Sequence, residues 1–113
     1  EEPMRPYLFA ALLMGMPTLT HAQGDMESMM LATQLGSVLA AEDFCGLTYD
    51  QAAIAAFVEA EVAPDDMAFP STLSAMTDGH RYQQDTMSAS AKTAHCTQIG
   101  RVAASYGFSP ATP

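Results

Sequence analysis

Two cysteines, three histidines and a group of methionines are the residues of this chain whose types could do chemistry. Cys96 is preceded by His95, and a thiol with an imidazole at hand is the pairing of a nucleophilic cysteine and its base. On a helix, however, adjacent positions point about 100° apart, which separates the two groups. The only other cysteine is Cys45, and no C-x-x-C spacing occurs, so thioredoxin-type exchange and c-type haem attachment are both excluded. Behind an export signal, two cysteines read as a single disulfide, Cys45–Cys96, formed in an oxidising compartment. An oxidised Cys96 is no nucleophile, and His95 is then a surface histidine beside a cross-link. No G-x-S-x-G, H-E-x-x-H, phosphate-loop or dinucleotide fingerprint occurs,. Glu42-Asp43 and Asp65-Asp66 are adjacent carboxylates that suit a helix end and a helix cap. The chain is expected to be non-enzymatic and to carry no cofactor.

Met26, Met29 and Met30 fall close together, with Met67, Met76 and Met87 later in the chain. Thioethers suit Cu(I), and M-x-x-M places two of them on one helix face, which makes Met26, Met29 and Met30 the candidate metal ligands. Methionine is also an adaptable filler of cores and binding surfaces, and an apolar cluster near a chain terminus marks a partner site. Together with Tyr49 and Tyr82, expected to be exposed aromatics, the three methionines form the candidate surface for a protein partner.

The elements that position these residues begin after a leader. MRPYLFAALLMGMPTLTHA has a basic residue, Arg5, an apolar run from Tyr7 to Met16, a breaker at Pro17, and small residues at Thr20 and Ala22. That order is a secretory signal with cleavage after Ala22. The apolar run is about half of what a bilayer span needs, so no stable membrane span is expected. Glu1-Glu2-Pro3 precede the first plausible start, Met4, and read as non-native or misassigned. The expected organisation is residues 1–22 as signal, 23–108 as one helical domain and 109–113 as a flexible tail, in a periplasmic or secreted protein.

The chain carries a net charge of −9, and loss of Glu1, Glu2 and Arg5 with the leader takes it to −8, with Arg81, Lys92 and Arg101 as the remaining cations. Such an acidic chain repels nucleic acid and anionic lipid, so nucleic-acid binding is excluded and a basic partner is favoured over an acidic one.

Helical periodicity predicts four segments. Asp25 to Cys45 repeats Leu31, Leu35, Val38 and Cys45 on one face with Leu39 beside them, Asp25 capping its start and Gly46 stopping it. Thr48-Tyr49-Asp50-Gln51 reads as a capping box ahead of the stripe Ile54, Phe57, Val58 and Val62, which Pro64 ends. Pro64-Asp65-Asp66 is a turn and a new cap. A third helix is expected over Met67 to Asp78, with Phe69, Leu73 and Met76 inward, Pro70 in its first turn, and a break at Asp78-Gly79. The fourth runs from about His80 to Tyr106 with Cys96, Ile99, Val102, Ala103 and Tyr106 inward, and Gly107-Phe108 as a glycine stop with a residue folding back. Small residues at Ala89, Ala91, Ala94, Ala103 and Ala104 are expected to let neighbours approach this helix closely. The fold class is all-α, a small three- to four-helix bundle with one disulfide.

The blocks CGLTYDQAAIAAFVEAEV, DDMAFPSTLSAMTDG and MSASAKTAHCTQIGRVAASYGF, spanning Cys45 to Phe108, resemble a group of small exported bacterial two-cysteine proteins without an established activity. The resemblance implies an exported helical protein and carries over no site residues. The function expected is a periplasmic helical module that binds a protein partner. A periplasmic acid-stress chaperone and a copper-handling protein using Met26, Met29 and Met30 are the alternatives.

Overall fold

A computed structural model describes residues 19–109 of the chain, which form four helices: α1 (Leu19–Phe44), α2 (Gln51–Glu61), α3 (Phe69–Gln84) and α4 (Ala89–Ser105). The described residues hold no strand, and the architecture is the expected small all-α bundle. Residues 1–18 and 110–113, with most of the predicted leader and tail, lie outside the described residues. Cys45 and Cys96 are bonded, their Cα atoms 5.4 Å apart across a sequence separation of 51. Closing a loop of that length stabilises the fold by about 4 kcal/mol in the chain-entropy picture.

The first helix is longer than its periodicity suggested. It begins at Leu19, so Asp25 lies in its interior and is not the cap; no proline interrupts the chain from Leu19 to Phe44. At 1.5 Å per residue, its 26 residues make a rod about 39 Å long. Its end is as expected: Gly46 takes φ +66°, the Gly46 N–H donates to the Asp43 carbonyl at 3.2 Å, and the Leu47 N–H donates to Glu42 at 2.8 Å. Only glycine reaches this left-handed turn without steric cost.

Along α1, Leu35 and Val38 are buried, and so are Ala32, Ala40 and Ala41. Ala32, Gly36 and Ala40, four residues apart, give one face of the helix almost no side chain, and α3 lies close against it. A Cβ added at Gly36 would stand 3.0 Å from the Met76 Cβ and 3.1 Å from the Thr77 backbone nitrogen. The close approach thus belongs to α1. On α4, Ala89, Ala91, Ala94 and Ala104 are exposed and only Ala103 is buried.

Beyond α1, the starts of α2, α3 and α4 and the end of α3 depart from the expectations. Asp50, not Thr48, caps α2, its carboxylate accepting from the N–H groups of Ala52 (3.0 Å) and Ala53 (3.3 Å). Gln51 donates to the Tyr49 carbonyl at 3.4 Å and does not complete a capping box with Thr48. The reason is tertiary: Tyr49 is buried at 4% exposure and the Asp50 N–H donates to the Phe108 carbonyl at 2.7 Å, holding both residues extended ahead of the helix. The third helix starts at Phe69 rather than Met67, its first free amide bonded to the Asp66 carboxylate at 3.2 Å. It then runs through Asp78-Gly79-His80 without a break and ends at Gln84. An internal glycine costs a helix only about 1 kcal/mol, and α3 is held against α1 on both sides of it. The break falls at Asp85–Met87, and Ser88 caps α4 by accepting from the Ala91 N–H at 3.2 Å.

The C-terminal end of α4 closes the core. Gly107 takes φ +82°, and the Phe108 N–H returns to the Ala103 carbonyl at 2.9 Å. Phe108 is fully buried, with ring centroids 5.5 Å from Phe57, 5.5 Å from Tyr106 and 5.8 Å from Tyr49. The α2 stripe of Ile54, Phe57, Val58 and Val62 leans on this core without any member becoming fully buried.

Candidate functional site

The chemistry-bearing residues separate into two regions. The first surrounds the disulfide. Asp43, Phe44, Cys45, Lys92, Thr93 and Cys96 line a shallow cleft of about 520 Å³. The Lys92 Nζ sits 4.5 Å from the centre of the Phe44 ring, a cation–π contact. His95 meets the same ring edge-on at 6.3 Å, and its buried Nε2 has no hydrogen-bond partner. Because Cys96 is bonded to Cys45, the neighbouring imidazole has no thiol to activate. Among the described residues, buried Gln84 at the end of α3 also carries a side-chain atom without a partner, its Nε2; nothing in the sequence singled it out.

The second region is the N-terminal half of α1 with the α2–α3 connection. Its centre is a hydrogen bond from the Ser28 hydroxyl to the Asp66 carboxylate at 2.7 Å. Asp66 uses its other oxygen to accept the N–H of Phe69, the first residue of α3, so one side chain ties α1, the connection and the start of α3 together. A cleft lies on each side of this bond. One, of about 440 Å³, is lined by Met30, Leu31 and Val62 with Glu27 and Glu61 at its edge. The other, of about 530 Å³, is lined by Met29, Met67 and Phe69 with Asp25 and Asp65. Met26, Met29 and Met30 are exposed at 64%, 57% and 57%, and Met67 at 85%. Met67 belongs to this surface by way of the connection, a placement its distance in sequence from Met29 concealed.

The two aromatic candidates part company. Tyr82 is exposed on α3, as expected. Tyr49 is not a surface residue: its hydroxyl donates to the Val38 carbonyl at 2.8 Å, and the Glu42 carboxylate accepts its backbone N–H at 2.8 Å. Burial first, and then the Glu42 charge, push its pKa up to about 12. An aromatic ring that completes the core with a satisfied hydroxyl has no surface to offer a partner.

Among the described residues, no group of three or more histidine, cysteine or carboxylate side chains is placed to hold a metal ion. Of the thioether candidates, Met30 lines one cleft and Met29 the other. No described helix is long and apolar enough to cross a membrane. Comparison with known protein families, with curated proteins and with solved structures finds no match to this chain.

Proposed function

We propose that the chain is an exported, non-enzymatic accessory protein of the periplasm that holds a protein partner at the methionine end of its bundle. One observation carries the reading. Among the described residues, three of the large apolar side chains left exposed, Met29, Met30 and Met67, line one pair of clefts, and exposed Met26 lies on the same stretch of α1. Single exposed apolar side chains are ordinary, but a contiguous group beside concave surface is the mark of an interaction site. Methionine suits the task because its unbranched, polarisable side chain adapts to the shape laid against it. The disulfide supports export, since such bonds persist in oxidising compartments, and the predicted signal at residues 1–22 supplies the route.

The test is a photo-crosslinking amino acid placed at Met30 and, as a control, at exposed Arg101 of α4, in cells producing the full chain. A discrete adduct from position 30, lost when Met29 and Met67 are both changed to serine and absent from position 101, is expected. Equal adduct yields from the two positions would overturn the proposal.

A further inference from the structure

Resting on that docking reading and narrowing it, we infer that the segment taken at this end is a cationic amphipathic helix, laid along the seam between α1 and the α2–α3 connection. The rim supplies the first reason. Glu27 and Glu61 border the cleft of Met30, Asp25 and Asp65 border that of Met29, and Asp66 lies between them. No cation of the described residues answers these carboxylates. The single ion pair among the described residues joins Arg81 to Asp78 on α3, at 3.9 Å, Lys92 sits over Phe44 beside the disulfide, and Arg101 bonds Gln98. A surface with an apolar floor and an unbalanced acidic rim is complementary to a segment with one apolar stripe flanked by lysine or arginine.

The same charge rules out the simplest other occupant. A second copy of this chain, with net charge −9, would bring a matching set of carboxylates to the contact, and like charges brought together across an interface cost several kcal/mol. Anionic lipid is disfavoured for the same reason.

The shape of the site supplies the second reason. The clefts flank one hydrogen bond between Ser28 and Asp66, with Met30, Leu31 and Val62 lining one and Met29, Met67 and Phe69 lining the other. A helix laid across that bond would place apolar side chains spaced three and four residues apart into the two clefts, the helix-in-groove mode of recognition. Strand addition has no counterpart, because the described residues offer no sheet edge. The long stems of lysine or arginine would lie along the methionine floor while their heads reach the rim.

The experiment is a fluorescence-anisotropy titration of the oxidised full chain with three labelled peptides of about 18 residues, or five helical turns. The first is a leucine–lysine amphipathic helix, the second has the same composition shuffled to destroy the apolar face, and the third replaces lysine with glutamine. The first should bind, and tighter than the other two. A Glu27→Gln/Glu61→Gln/Asp65→Asn variant should weaken it about tenfold, and a Met29→Ser/Met30→Ser/Met67→Ser variant by a similar factor. The remote pair Asp43→Asn/Asp78→Asn should leave it unchanged. All these side chains are exposed, and circular dichroism checks that each variant keeps its fold.

Equal binding of the shuffled peptide, or equal weakening by the remote pair, would reduce the effect to bulk charge and overturn the inference. Equal binding of the glutamine peptide would overturn the cationic assignment while leaving the docking reading intact. No binding of any peptide, with the Met30 crosslink still formed, would also overturn the inference alone. Loss of the crosslink as well would remove both.

Discussion

Gly36 stands where α1 passes nearest to α3, and its replacement by alanine sets two effects of known size against each other. Alanine is better than glycine inside a helix by about 1 kcal/mol. At Gly36 the new Cβ would meet the Met76 Cβ at 3.0 Å, the Thr77 nitrogen at 3.1 Å and the Met76 carbonyl carbon at 3.2 Å. Two of these three atoms are α3 backbone, and none can be moved by turning a side chain away. Forcing a methyl group into such a contact costs about 1–3 kcal/mol, so Gly36→Ala should be destabilised by about 1 kcal/mol net. For a domain of this size, that lowers the melting temperature by about 4–8 °C. At Gly79 and Gly100, also within helices, an added Cβ meets nothing within 4 Å, and the same substitution should raise stability by about 0.5–1 kcal/mol. Thermal and urea unfolding of the oxidised variants, followed by circular dichroism, measures all three. A Gly36→Ala protein as stable as the parent would refute the reasoning, because the helices would then not be in backbone contact there.

Three further outcomes are expected. Reduction of the Cys45–Cys96 bond, or its replacement by paired alanines, should lower unfolding stability by about 4 kcal/mol, read as the difference between melts with and without reductant. Tyr49→Phe should cost about 1 kcal/mol through loss of the bond to the Val38 carbonyl,. Since folding raises the Tyr49 pKa from 10.0 to about 12, the folded state holds its proton more tightly, and this contribution is complete below pH 10 and lost as the pH climbs toward 12. The gap in stability between parent and Tyr49→Phe should therefore narrow over that interval in urea melts. Asp66→Ala should cost about 1–2 kcal/mol, as it removes the acceptor of both the Ser28 hydroxyl and the Phe69 N–H,. Asp65→Ala, one residue away, should be close to neutral in the same melts.

The parts of the bundle that local chemistry dictates were legible in the residues. Gly46 and Gly107 announced their left-handed stops because no other side chain takes that backbone conformation freely. The stripe of Ile54, Phe57, Val58 and Val62 announced α2 because its spacing matches the helical repeat. Cys45 and Cys96 had only each other to bond. The methionine cluster at 26–30 was visible as an apolar group, and the excess of carboxylate over cation was visible as charge.

The rest depended on what packs against what. Thr48 and Asp50 are both good caps, and the choice fell to Asp50 because burial of Tyr49 and the Phe108 carbonyl fix the chain ahead of it. Gly79 resembles a helix end, yet α3 continues because its other residues are held against α1. The importance of Ala32, Gly36 and Ala40 was hidden, since small residues have no hydrophobic signature and matter only when another backbone comes close. Met67 lies far from Met29 along the chain and reaches the same cleft only because Asp66 ties the connection to Ser28. Sequence alone determined the helical class, the two glycine stops at Gly46 and Gly107, the cross-link and the acidic charge, all of which follow from residue type and near neighbours. The tertiary structure decided which cap is used, where two helices touch, and which methionines share a surface, because each of these is settled by an atom remote in the chain.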